Sequence, residues 1–433
     1  MKNYLIIGNS AAGIAAAEAI RTQDKTNKIT IISDENYPAY CRCLLSYYLA
    51  GDLSEDKLKL REDNFYEQNK ITLLPGKKAE KVDIKKNKVL LDDKTQIAYD
   101  LLLIAAGGSP TIPEIKGIKK SGVFGFRKIS DIKAIGESLP IATHCIVLGG
   151  GLIGLKAAAG LKKRKKEVKV IVRSNRVLSQ MLDFSAAQFL RKRLEQNGIE
   201  VITETDLAEV IGNGNIRAIK LDRGKALAAE MLVVAKGVSP NIKFIQDSGI
   251  KTNVGIIANK FLQTNIENIF AAGDICETED LARQVMRVNA LWPNAVEQGK
   301  IAGGNMAAKI IGKDLVEYDG SISMNSIEIF GLPVISMGVI SGKKEDGFEE
   351  FSHVESQNEV YKKIVIKDNL IKGMIYLGRI ENSGLLLKLI KSKLDISPIR
   401  DELLKDTFNF AAIIEYLKEE ELSLSDKLFR KSM

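Results

Sequence analysis

Two glycine-rich turns, each set between a β-branched run and an alanine-rich segment, predict an α/β chain with two Rossmann-like dinucleotide-binding units and a C-terminal α+β domain. The first turn, YLIIGNSAAGIAAAEAI, carries Gly8 and Gly13; the second, CIVLGGGLIGLKAAAG, carries Gly149, Gly151 and Gly154. A later segment, IENIFAAGDI, contributes Gly273 and Asp274. One glycine pattern arises easily by chance. Two in strand–turn–helix context, followed by Ala-Ala-Gly-Asp, imply a chain that binds two dinucleotides and moves electrons between them.

Each turn works in the same way. A buried parallel strand delivers the chain to a tight bend, and the next helix aims its unpaired N–H groups and positive dipole end at a pyrophosphate. In the first turn Ser10 stands at the middle glycine position, with Ala11 and Ala12 following; serine is small and can itself donate to phosphate. The second turn is complete, and Ile153 lies inside it. After the first helix comes the strand KITIIS, followed at its end by Asp34 and Glu35, where an acid accepts hydrogen bonds from a ribose. Residues 71–112 read as strands closing on YDLLLIAAGGSP. Residues 113–240 repeat the theme: glycine turn, helix, the strand VKVIVRS, helix, a hairpin around Gly212, Asn213 and Gly214, and MLVVAKGVSPN. The closing strands echo one another, which suggests an internal duplication. IFAAGD and a helix beginning near Pro293 return to the first unit. The organisation is therefore 1–112 with 241–319, 113–240, and 320–433, the last alternating strand-like runs before a final helix.

Composition narrows the classes. The chain has 433 residues, 45% of them hydrophobic, enough for two or three cores. No apolar run is long enough for a transmembrane helix. Lys2, the apolar stretch and the small residues after it mimic a secretory leader, but a strand–turn–helix explains them better. Four cysteines make no disulfide framework, so a reducing cytoplasm is expected, and no cluster suggests a metal site. The net charge of +8 is spread over scattered lysines without an aromatic-rich basic face, which argues against nucleic acid. It suits instead the steering of a small acidic electron carrier. The densest run, Lys162, Lys163, Arg164, Lys165 and Lys166, is expected to be a solvated face at a helix C-terminus.

The order of motifs resembles the flavin-dependent pyridine nucleotide–disulphide oxidoreductase superfamily, with its glutathione reductase-type fold, over nearly the whole chain. YCRCLLSYYLAGDL and the C-terminal domain resemble the NADH:rubredoxin oxidoreductase, NADH oxidase and nitrite reductase flavin-subunit branch. The resemblance implies FAD at the first turn and NADPH or NADH at the second. It implies that Asp274 and Gly273 meet the FAD ribityl–pyrophosphate region, and Asp34 or Glu35 the adenosine ribose. Arg42, in Y-x-R, would help hold FAD or serve structure. Ala79, Ala105, Ala106, Gly107, Gly237 and Ala295 stand at further cofactor-facing positions of the pattern. The helix in LWPNAVEQGKIAGGNMA would point its N-terminus at the flavin, with Trp292 as packing. The implied activity is hydride transfer from NAD(P)H to FAD, then electron transfer to rubredoxin or ferredoxin. In such proteins the C-terminal domain forms a homodimer interface or adjoins the acceptor; the basic end KLFRKSM could be a docking element or a frayed tail.

Three positions keep alternatives open. Cys43 falls in register with the single redox cysteine of the NADH oxidase and coenzyme A-disulphide reductase branch, or is simply a small packed residue. Cys41 lies two residues away; in an extended segment both point to one face, and a bridge would need strained geometry. Arg173, with Arg176, replaces the acid that reads a ribose 2′-OH and suits a 2′-phosphate, favouring NADPH; a surface arginine after a strand is the plain alternative. Lys156 replaces a glutamate common beside the nicotinamide, and either reorganises that pocket or faces solvent. A chain using Cys43 would be an NAD(P)H oxidase or coenzyme A-disulphide reductase. A non-catalytic flavin-bound sensor is the third reading.

Overall fold

The computed structural model describes residues 1–405, 407–409, 411, 413 and 414. Along the chain run β1 (Asn3–Ile7), α1 (Ala11–Gln23), β2 (Lys28–Ile32), the short α2 (Leu45–Ala50), β3 (Ile71–Leu74) and β4 (Leu101–Ile104). There follow β5 (Val123–Phe124), α3 (Ile129–Ser138), β6 (His144–Leu148), α4 (Leu152–Lys163), β7 (Glu167–Val172), β8 (Ile199–Thr203) and β9 (Met231–Val234). Next come β10 (Ile269–Ala271) and α5 (Trp292–Ile311).

These strands form two parallel five-stranded sheets, ordered β10-β4-β1-β2-β3 and β8-β7-β6-β9-β5. Every position of Leu101–Ile104 and of Met231–Val234 is buried, as expected for parallel strands covered on both faces. The duplication read from the echoing strands is visible in three dimensions. Each sheet has the glycine-turn strand at its centre, and each carries a three-stranded antiparallel meander, Ala79–Asp83 with Lys88–Leu91 and Gln96–Ala98 in one, Leu207–Ile211 with Ala218–Leu221 and Ala226–Ala228 in the other. The expected hairpin at Gly212 sits within the second meander.

Glycine spacing lets α5 lie against α1. A Cβ on Gly299 would stand 2.2 Å from the Ala12 carbonyl oxygen, and one on Gly303 2.3 Å from that of Ala16, so only glycine at these two positions, one turn apart, permits backbone contact. That contact sets the N-terminus of α5 beside the end of β10: the Gln298 side chain accepts from the Gly273 amide at 2.8 Å.

The basic run is more than a solvated face. Lys163 pairs with Asp52 at 2.7 Å, Arg164 donates to the Leu49 carbonyl at 2.8 Å, and Lys166 to that of Leu139 at 2.6 Å. Three of its cations therefore tie the second glycine-turn unit to α2 and α3, a tertiary use that a charge run does not announce in sequence.

A second compact unit gathers the described residues from 324 onward with 180–190 and 281–283. It is built on five antiparallel strands, β11 (Met324–Ile329), β12 (Leu332–Gly338), β13 (Phe348–Glu355), β14 (Val360–Lys367) and β15 (Leu370–Leu377), ordered β11-β12-β15-β14-β13, with α6 (Ser383–Ser392) packed on β15. Asp183 belongs to it because it accepts from the Tyr361 hydroxyl and from Lys363, the latter at 3.1 Å. The basic end KLFRKSM lies outside the described residues. Among those described, no helix is long and apolar enough to cross a membrane, and no group of three acidic, histidine or cysteine side chains is arranged to hold a metal.

Candidate functional site

The first turn is held by two close approaches. Gly8 has φ +122, and a Cβ there would lie 2.1 Å from the Ala105 carbonyl oxygen; on Gly13 it would lie 1.9 Å from that of Gly8. Strand β4 and its Ala105-Ala106-Gly107 ending thus press directly on the turn. The first helical bond runs from the Ile14 amide to the Ser10 carbonyl, which leaves the amides of Ala11, Ala12 and Gly13 ahead of the ladder. The Ser10 hydroxyl makes no capping bond. These groups fit a pyrophosphate.

An ionic network flanks the turn. The Glu35 carboxylate accepts from the Tyr40 hydroxyl at 2.6 Å and pairs with Arg42. Arg42 also donates to Tyr40 Oη and to the Arg127 carbonyl, both at 3.0 Å. Tyr40 is buried, and burial pushes its hydroxyl well above the ordinary value, so it remains a neutral donor to Glu35. The more exposed Asp34 pairs with Lys128 at 2.8 Å. Ala79 is buried at the start of the meander, which the Lys77 amide ties to the Ser33 carbonyl at 2.8 Å. The Arg127 side chain pairs with Asp274 at 2.7 Å and lies 3.8 Å from where a Gly107 Cβ would be. A Cβ on Gly273 would come within 3.2 Å of Ala12 and 3.6 Å of Ala295. Gly8, Ser10, Gly13, Gly107, Gly273, Asp274 and Ala295 therefore converge on one locus.

The second turn repeats the first. Gly149 has φ +124 and abuts the Ala235 carbonyl oxygen, and a Cβ on Gly154 would stand 2.0 Å from that of Gly149. Gly151 is different: nothing lies within 4 Å of its notional Cβ, and the same holds at Gly237. Packing does not demand glycine at Gly151, so the space it leaves suits an external group, as a pyrophosphate at a helix N-terminus requires. The Leu155 amide makes the first helical bond, to Gly151, and Ile153 is exposed at the same end. At the end of β7, Arg173 is exposed and makes no hydrogen bond or ion pair among the described residues, while Arg176 donates to Asn175 and to the Ser179 carbonyl. Lys156 is half-buried, its ammonium 5.3 Å from the centre of the Tyr47 ring.

Residues 2–299 match the family model for pyridine nucleotide-disulphide oxidoreductases, and residues 324–394 that for the rubredoxin NAD+ reductase C-terminal domain. The chain belongs to the pyridine nucleotide–disulphide oxidoreductase family. It is 33% identical to the assimilatory nitrate reductase electron transfer subunit of Bacillus subtilis, over 93% of this chain and 51% of that protein. It is 34% identical to an NADH oxidase of Methanocaldococcus jannaschii, over 70% of this chain and 69% of the other. The fold matches an NAD-dependent persulfide reductase from A. fulgidus with a TM-score of 0.85 at 26% identity, covering 94% of this chain and 80% of that one. The chain spans about half the length of the nitrate and nitrite reductase relatives it matches. Enzymes of the pyridine nucleotide–disulphide oxidoreductase family bind FAD and use NADH or NADPH.

The cysteine segment departs from the extended picture. Arg42–Leu44 forms a 3₁₀ turn leading into α2, so Cys41 and Cys43 do not alternate as in a strand. Cys41 is half-buried and Cys43 exposed. Sequence reasoning also missed Arg127, the partner of Asp274, and Tyr40 with Lys128, the partners of the two acids. Arg127 and Lys128 lie outside any motif, and only the fold brings them to the turn.

Proposed function

We propose that this oxidoreductase draws electrons from NADPH in preference to NADH, holds FAD at the first turn, and delivers electrons to a small acidic iron–sulfur carrier of the rubredoxin or ferredoxin type. The match of residues 324–394 to a rubredoxin reductase C-terminal domain is the observation that carries the choice of acceptor. Bound FAD would supply a two-electron acceptor that can release electrons one at a time.

The residues take the following roles in this reading. The amides of Ala11, Ala12 and Gly13, with the Ser10 hydroxyl, hold the FAD pyrophosphate. Glu35, oriented by Tyr40 and Arg42, receives the adenosine ribose. Asp274 and its Arg127 partner face the ribityl chain, and the amides opening α5 near Ala295 offer a positive end to the flavin ring. Gly149 and Gly154 hold the second turn in shape, Gly151 and Gly237 leave room for the second nucleotide, and the exposed Ile153 borders it. The unpaired Arg173 reads its 2′-phosphate with Arg176 in support. Positioning and field, rather than an acid–base pair, carry the transfer.

A second reading ends at a small molecule, oxygen or coenzyme A disulphide, through Cys43; the exposed Cys43 favours it, and the fold likeness to a persulfide reductase accords with it. Steady-state assays with rubredoxin, ferredoxin and coenzyme A disulphide separate the two. Carrier reduction that survives Cys43→Ser is expected. Loss of carrier reduction in that variant, with the flavin still reducible, would sink the carrier reading.

A further inference from the structure

Two cations of the basic run at the end of α4 close off helices that are not their own. Arg164 donates at 2.8 Å to the Leu49 carbonyl, in the last turn of α2, and Lys166 donates at 2.6 Å to the Leu139 carbonyl, which ends α3. Carbonyls at a helix C-terminus lack partners within the helix and carry the negative end of its dipole, so a cation from outside satisfies both needs. The backbone makes room for the first contact. Gly51 ends α2 at φ +82, and a Cβ there would lie 3.1 Å from the Arg164 guanidinium. Within α4, a Cβ on Gly160 would stand 3.2 Å from the Ser46 carbonyl oxygen, so glycine lets the two helices touch. Lys162, in the same run, makes no hydrogen bond or ion pair among the described residues.

The same two helices begin at the network beside the first turn. Arg42 opens the 3₁₀ turn that runs into α2, and Arg127 and Lys128 immediately precede α3. The Ile129 amide, first in α3, donates to Tyr40 Oη at 3.1 Å, and Arg42 donates to the Arg127 carbonyl at 3.0 Å. Both helices therefore run from the groups around Glu35 and Asp274 to the C-terminus of α4. The other end of α4 is the second glycine turn, at Gly151.

We propose that Arg164 and Lys166 are positioning residues: by capping α2 and α3 from α4, they set the distance and angle between the nicotinamide ring and the flavin. This rests on the two nucleotide sites proposed above and adds what holds one in register with the other.

The lever is long enough to matter. α4 has 12 residues and is ~18 Å long, so a tilt of ~3° at its clamped end moves the glycine turn by ~1 Å. A displacement of about 1 Å at a reacting centre can cost ~100-fold in rate. Lying at the far end of α4 from the second turn, the two cations act on the rate of hydride transfer rather than on affinity for the nucleotide.

Hydrogen exchange of the FAD-loaded protein without nicotinamide reads the clamp itself. Amides in the last turn of α2 are expected to exchange at least fivefold faster in Arg164→Ala, and those in the last turn of α3 in Lys166→Ala. Lys162→Ala removes the same charge and should change neither. Anaerobic single-turnover reduction by NADPH and by NADH then reads the consequence. The limiting rate should fall at least tenfold in Arg164→Ala and in Lys166→Ala, with half-saturating nucleotide concentration and FAD content within twofold of wild type. Arg164→Lys should recover most of the loss. Unchanged exchange in both variants would overturn the proposal, as would an unchanged rate despite faster exchange, or a loss carried by weaker nucleotide binding. A wild type that neither nucleotide reduces would instead overturn the function proposed above, and faster exchange in the two variants would still uphold the clamp.

Discussion

At Gly151 an added methyl group would meet nothing within 4 Å, whereas at Gly154 it would lie 2.0 Å from a carbonyl oxygen. The two substitutions should therefore fail in different ways. Gly154→Ala overpacks the turn and is expected to cost about 1–3 kcal/mol of stability, read as a lowered urea midpoint. Gly151→Ala should leave that midpoint unchanged and weaken nucleotide binding, read by titration. Equal loss of stability in both would remove the argument that Gly151 serves a ligand. Arg173 makes the complementary prediction. A charge-assisted bond to a phosphate is worth ~1.5–3 kcal/mol, so Arg173→Ala should weaken NADPH binding by ~10- to 100-fold and leave NADH nearly untouched. A parallel loss for both nucleotides would return Arg173 to the status of a surface cation.

Elements explain why some of this could be read in advance. Glycines that touch backbone, such as Gly8, Gly13, Gly149 and Gly154, leave a fixed spacing between a strand and a helix, and that spacing is legible in one sequence. Arg127 reaches Asp274 across 147 positions, and Lys156 reaches the Tyr47 ring because α4 closes on α2; neither has a local signature. The 3₁₀ turn at Arg42 was equally hidden, since Tyr-Cys-Arg-Cys has no helix-favouring pattern and the turn is stabilised by tertiary bonds such as the Cys41 amide to the Leu58 carbonyl at 2.8 Å. Gly303→Ala puts a methyl group 2.3 Å from the Ala16 carbonyl oxygen and should destabilise by about 1–3 kcal/mol while displacing the N-terminus of α5, measured as a lower thermal midpoint and weaker FAD retention. Unchanged FAD retention at lowered stability would show that α5 packs the core without positioning the flavin.

At the scale of the whole molecule, acid and salt act through separate charges. Burial alone would raise the Asp24 carboxyl, but hydrogen bonds from Asn27, Thr26 and Tyr4 outweigh it and hold it well below the usual range. Asp100 and Glu230 are also lowered, against burial, by hydrogen bonds from Asn3 and His144 among others. A carboxyl depressed in the folded state lends stability that is fully present above its unfolded value near ~4 and is lost as pH falls through the folded one. The urea midpoint should thus hold near neutrality and drop below about pH 4, less steeply in Asp24→Asn. The net charge of +8 predicts that electron delivery to an acidic carrier slows more than tenfold between ~0.05 and ~0.5 M salt. The measurement that bears most directly on the whole account is anaerobic stopped-flow reduction of the FAD-loaded protein by NADPH and NADH in parallel. Both nucleotides are expected to bleach the flavin, with NADPH saturating at the lower concentration. A flavin that neither nucleotide reduces would contradict it.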